Sequence, residues 1–193
     1  MKMSPSEIFF AMNFANKIFG HIDGRDFYDS RNASRTSDKQ LEDNIRGKLG
    51  EIAVANYIGR LGFISQLDFD IYESKGQGDN FDVIANGKSI DVKVSSPNAR
   101  CLMVERNKWE SWHNRNMFPD YLSMVSVSGS GTNYEVLYKF GITWEKFKDK
   151  SKLYERGNDI PNTRFPLKAD NYIVTVDDCE DILGLGKYIK YKK

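Results

Sequence analysis

The chain has 193 residues, enough for one domain with its own core, and 40% hydrophobic with 13% aromatic content excludes a disordered chain. A formal net charge of +1 gives no whole-molecule pull toward nucleic acid, so any such binding falls to local basic surfaces. No apolar run approaches the roughly 20 residues of a membrane span, and the opening Met-Lys-Met-Ser-Pro-Ser-Glu lacks the layout of a secretory signal.

Ser4-Pro5-Ser6-Glu7 is a capping box with proline at the first helical position, and Ile8, Phe9, Met12, Ile18 and Phe19 continue a helix to about Gly20. Residues 21 to 36 are polar and read as a loop. Arg25, Arg31 and Arg35, with Phe27 and Tyr28, offer contacts to phosphate and base, although a solvated loop has the same composition. Ser37-Asp38-Lys39-Gln40 is a second capping box, and Leu41, Ile45, Leu49, Ile52 and Ala53 recur at helical spacing toward Gly62. Glu51 stands at the flank of that stripe, with Gly47 and Ala55 one turn to either side as small neighbours that admit another backbone. Phe63-Ile64-Ser65-Gln66 is a short strand, followed by an acidic connection broken by Gly76 and Gly78.

Residues 79 to 96 hold the densest signal. Two apolar-alternating runs flank Asn86-Gly87, the strongest short-range signal for a two-residue hairpin turn. If Ala85 and Lys88 close the turn, Ile84 faces Ser89, Val83 faces Ile90, Asp82 faces Asp91 and Phe81 faces Val92. Alternation then puts Phe81, Val83, Ala85, Ile90, Val92 and Val94 on one face. Asn80, Asp82, Asp91, Lys93 and Ser95 share the other, with Ile84. Two carboxylates directly opposite one another, with Cβ atoms about 5 Å apart, destabilise a hairpin unless something neutralises them. A hard divalent cation does so, because Mg²⁺ takes one or two carboxylates and fills its other positions with water and phosphate. Lys93, on the same face, completes the parts needed to hydrolyse a phosphodiester. The bland alternative is a solvated face with surface ion pairs worth at most about 1 kcal/mol.

Glu51 on a helix, Asp82 on a strand, and Asp91-Val92-Lys93 on the next strand resemble the PD-(D/E)XK nuclease superfamily over residues 39 to 96. Phe81 stands where the name-giving proline precedes the first acid. The resemblance implies an α/β fold, a single domain with a mixed central β-sheet flanked by helices and the hairpin at its active edge. It also implies Mg²⁺, with Mn²⁺ as a substitute, held by Asp82, Asp91 and the Val92 carbonyl. Glu51 would steady a water or a second ion, and Lys93 would orient the attacking water.

Past Pro97 the chain reads as a strand over residues 101 to 104 and a basic, tryptophan-bearing helix over residues 106 to 115. Arg100, Arg106, Lys108 and Arg115 join the arginine loop as candidates to hold a DNA backbone. Residues 121 to 128 and 134 to 140 are strands around a Gly-Ser turn, and Thr143 caps a short helix to Lys150. Residues 151 to 170 are expected to be irregular, residues 171 to 176 a last strand, and the end an acid-capped turn with a basic tail. The division expected is an N-terminal helix and arm over 1–36, a catalytic core over about 37–140 and a C-terminal elaboration over 141–193. Cys101, Cys179, His21 and His113 are scattered, so neither a disulfide nor a Cys/His metal set is indicated, and reduced cysteines fit a cytoplasmic protein. The function expected is a compact Mg²⁺-dependent DNA endonuclease of restriction-like or phage type, with a homodimer as the arrangement for double-strand cleavage. An RNA nuclease, a DNA exonuclease and a non-catalytic nucleic-acid-binding module of the same fold are the alternatives.

Overall fold

The computed structural model describes residues 1–21, 37–68 and 81–190. Arg25, Arg31, Arg35 and Asp79 lie outside the described residues. Helix α1 (Pro5–His21) opens with its capping box formed: Ser4 N donates to Glu7 Oε2 at 2.6 Å, and Glu7 N donates to Ser4 Oγ at 3.4 Å. Helix α2 (Ser37–Arg60) buries Ile45, Leu49, Ile52 and Ala53 along one stripe, and every residue from Lys48 to Ala55 is buried, so its middle is enclosed on all sides. It stops where Gly62 takes a φ of +85°, with Gly62 N bonded to the Gly59 carbonyl and Phe63 N to the Ile58 carbonyl. That double closure is a Schellman cap, and it needs a residue that tolerates the left-handed region.

The main sheet begins with β1 (Ser65–Leu67), β2 (Val83–Ala85) and β3 (Lys88–Ser95). Asn86 and Gly87 have φ of 50° and 72°, as a type I′ hairpin requires, and the register is Ala85 with Lys88, Ile84 with Ser89, and Val83 with Ile90. The chain bends at Asp82, so the β2 ladder ends at Val83 and Asp82 meets β3 through its side chain. Beyond β3 come β4 (Cys101–Glu105), α3 (Arg106–Arg115), β5 (Tyr121–Ser130) and β6 (Asn133–Thr143). Segment β4–α3 is a crossover that lets β5 lie parallel to β3, while the other main-sheet neighbours are antiparallel. The order β1-β2-β3-β5-β6 makes β3 the central strand of a mixed five-stranded sheet. The β2–β3 hairpin was expected at an edge of the sheet; β1, pairing along the outer side of β2, moves it inside.

Helix α4 (Trp144–Lys150) starts on Thr143, whose Oγ1 accepts from Lys146 N at 3.4 Å. The stretch expected to be irregular contributes β7 (Lys152–Tyr154), which pairs with β8 (Asn171–Thr175). Strands β4, β8 and β7 form a second, antiparallel sheet. The basic tail is not a tail: α5 (Ile182–Lys190) buries Leu185 and Ile189 completely. Gly184 and Gly186 hide this helix from propensity, yet a Cβ on Gly186 would stand 2.8 Å from the Tyr57 hydroxyl, so the small residue lets α5 approach α2. Asn86 Nδ2 donates to the Ile189 carbonyl at 2.7 Å and ties the hairpin turn to α5.

Both faces of the main sheet are covered within one domain. Helices α1, α2 and α5 pack on one side with Val83, Ala85, Ile90, Val92 and Val125. On the other side Leu122, Met124, Phe140 and Ile142 meet α3, α4 and the second sheet through Trp112, Trp144, Phe147, Leu102, Val104 and Val174. Among the described residues no helix is long and apolar enough to cross a membrane.

Candidate active site

Because side chains alternate along β3, Ile90 and Val92 enter the helical core while Asp91 and Lys93 point to the opposite face. That face is not solvated. Asp91 is 2% exposed and Asp82 8%, which removes the reading of a surface ion-pair network. The Asp82 Oδ2 accepts the Val92 backbone N–H at 2.5 Å, so the first acid is clamped to the strand that carries the second. The residue expected to lend its carbonyl thus lends its N–H.

Asp91 draws two ammonium groups. Lys108, one turn into α3, donates from Nζ to Asp91 Oδ1 at 2.7 Å. Lys93 Nζ lies 2.5 Å from Oδ2, so each oxygen of the carboxylate faces its own ammonium. The wall beside both lysines is the fully buried Trp112 ring, whose centroid lies 5.2 Å from Lys108 Nζ and 6.0 Å from Lys93 Nζ. Such a wall lowers the local dielectric and strengthens every charge interaction here.

The two acids respond in opposite ways. Burial, and then the charge of Asp91, push Asp82 up to about 6 against the pull of Lys108 and Lys93. Burial alone would raise Asp91 too, but Lys108 and Lys93 outweigh it and hold that carboxyl at about 2. Burial brings Lys93 below the ordinary lysine value although Asp91 opposes the change. Burial also disfavours the charge on Lys108, yet Asp91 and Asp82 overcome it and hold its pKa high. The two carboxyls titrate as a coupled pair whose members are driven apart, an arrangement suited to acid–base or cation chemistry and also found in structural ion-pair networks.

The remaining expected residues fall elsewhere. Glu51 is 9% exposed on α2 and is paired at 2.5 Å with Lys48, which also donates to the Asp68 carbonyl at 2.6 Å. Among the described residues no three His, Cys, Asp or Glu side chains gather at metal-holding distance, so Glu51 does not join Asp82 and Asp91 in such a group. The close backbone approach sought around Glu51 is made by Gly50 instead of Gly47: a Cβ there would stand 2.8 Å from methyls of Val94 and Val125. Lys108, expected on a DNA-holding surface, turns inward to Asp91. Arg106 pairs with Glu110 at 2.8 Å and with Asp170 at 3.6 Å, and lines a cleft of about 180 Å³ with Asn107, Arg156 and Lys168. Arg100 is exposed, and Arg115 donates to the Ser111 carbonyl at 3.4 Å within α3. Sequence reasoning missed the role of Lys108; the available signal was its place beside Trp109 and four residues before Trp112, on the border of the helix's apolar stripe.

The donor set fits a hard divalent ion. It offers two buried carboxylates, with both Asp91 oxygens held by lysine ammonium groups, and the pair is unfavourable without added positive charge. It lacks the thiolate and imidazole ligands that zinc or copper would favour. No protein-family model matches the chain, and no curated protein or solved structure matches it either, so the site is read from its own geometry.

Proposed function

We propose that this chain is a Mg²⁺-dependent nuclease of restriction-endonuclease-like fold that hydrolyses phosphodiester bonds in DNA. One observation carries the reading: Asp82 and Asp91, both buried, are joined through Val92 N–H and flanked by Lys93 on the same strand face. Asp82 and Asp91 are the side chains that would hold the ion. When bound, it polarises a phosphoryl oxygen and lowers the pKa of water, which is the chemistry such sites supply. The chain's own residues do the rest. Lys93, on the strand face it shares with Asp91 and with its pKa lowered by burial, orients the attacking water and stabilises charge growing on the phosphoryl oxygens. Trp112 excludes water from beneath the lysines, so those charges act at short range in a poorly screened environment. Arg106, Arg156 and Lys168, which line a cleft together with Glu105 and Asp170, are the cations offered to a phosphate backbone.

The test is incubation of supercoiled plasmid, linear duplex and single-stranded RNA with Mg²⁺, using wild type beside Asp91→Ala and Lys93→Ala. The reading expects DNA cleavage that both substitutions abolish in folded protein, with nicked or linear plasmid marking an endonuclease. Shortening from ends only would make it an exonuclease, and cutting of RNA alone would move the substrate. Salt-sensitive binding with no cleavage would leave a nucleic-acid-binding module.

A further inference from the structure

The two lysines on Asp91 are not equivalent. Lys93 shares the strand with its partner and is 24% exposed, whereas Lys108 reaches in from α3 with 41% of its side chain exposed. Its ammonium holds Asp91 Oδ1 while much of the side chain meets solvent, so rotation about the stem has room to carry the charge outward. A divalent ion bound through Asp91 would sit about 2.1 Å from a carboxylate oxygen. It would then repel an ammonium that keeps its own 2.7 Å bond to the same carboxylate.

Resting on the metal-dependent reading above, we infer that Lys108 is a built-in counter-ion that occupies the cation's place on Asp91 and leaves it when a divalent cation binds. Without the ion, Lys108 and Lys93 together balance Asp82 and Asp91, which keeps a buried pair of acids tolerable. With the ion, that balance turns into an excess of positive charge, and Lys108 is the member with a way out. The freed ammonium is then at hand for the phosphate that the site admits.

The experiment uses the full chain and Mn²⁺ as probe, followed by calorimetry and by the loss of free-ion paramagnetic signal. Lys108→Gln removes the competitor and is expected to bind Mn²⁺ about tenfold more tightly than wild type, while Lys108→Arg stays near wild type. A second readout needs no substitution: acetylation of wild-type Lys108, followed by mass spectrometry, should speed up several-fold on Mn²⁺ saturation relative to exposed Lys152. Equal Mn²⁺ affinity in wild type and Lys108→Gln, or unchanged acetylation of Lys108, would overturn the counter-ion role while leaving the metal site standing. Absence of Mn²⁺ binding in both proteins would overturn the metal reading and this inference with it.

Discussion

On the helical face of the main sheet, Ile90 and Val92 join Ile45, Leu49, Val83 and Val125 in a dry core, while on the other face the intervening Asp91 and Lys93 of the same strand sit buried among charges. The first face needs no explanation beyond the hydrophobic effect, since each large aliphatic side chain taken from water contributes about 1.5–3 kcal/mol. The second works against folding. Burying an ion costs several kcal/mol after relaxation, and a buried ion pair is often replaceable by apolar residues without loss. Two acids and two lysines kept where aliphatic side chains would serve stability better are therefore the feature on which the proposed site rests, and the contrast between the faces picks them out.

Substitutions on the two faces should separate these roles. Lys93→Met is expected to show the largest effect, a loss of cleavage of about 10²–10³-fold per folded molecule with a lowered melting temperature in chelator, because Asp91 keeps one ammonium instead of two, checked by single-turnover cleavage of labelled duplex and by calorimetric melting. Ile90→Ala, on the same strand but facing the helices, should leave activity per folded molecule intact while about 2–5 kcal/mol of stability is lost in denaturant unfolding. If Ile90→Ala removed activity while stability held, the division of labour between faces would be wrong. Gly50→Ala would push a methyl to within 2.8 Å of Val94 and Val125 and force α2 off the sheet. The expected cost is about 1–3 kcal/mol, read in the same unfolding experiment.

The smallest effect has the opposite sign. Asp82 stands at about 6 in the folded state against an ordinary 3.8. The stability it contributes is therefore present at low pH and is lost as pH rises between those values. Above that window the folded protein keeps a charge that the unfolded chain carries freely. Asp82→Asn should make the metal-free protein more stable by about 1–2 kcal/mol at pH 8, and the gain should vanish near pH 4. Asp91 runs the other way: its carboxyl, held at about 2, contributes stability above 3.8 that is lost as pH falls toward its folded value.

What could be read in the chain was local. Asn86-Gly87 dictates its own turn, and counting outward from it places Ile90 and Val92 on one face and Asp91 and Lys93 on the other. The capping residues Ser4, Glu7 and Thr143 likewise announce their helices within four residues. What stayed hidden depends on contacts between distant segments. Lys108 meets Asp91 only because the crossover folds α3 over β3, and no spacing rule forecasts that meeting. Strand β7 is three residues long and exists because β8 offers it an edge. Helix α5 was masked by Gly184 and Gly186, whose lost helix propensity is outweighed by the burial of Leu185 and Ile189. Glu51 fitted the expected pattern by position in sequence, but Lys48 holds it in the structure.

The account rests on the buried acids being a cation site, and melting temperature tests this without needing a substrate. Wild type and Asp82→Asn would be melted at pH 8 in chelator and in Mg²⁺. At a concentration about 100 times the dissociation constant, Mg²⁺ should add about 2.7 kcal/mol to the wild type, or roughly 5–10 °C. Asp82→Asn should start higher in chelator and gain little from Mg²⁺. A wild type that does not respond to Mg²⁺, or an Asp82→Asn variant that responds equally, would contradict the assignment of Asp82 and Asp91 as the ion's ligands.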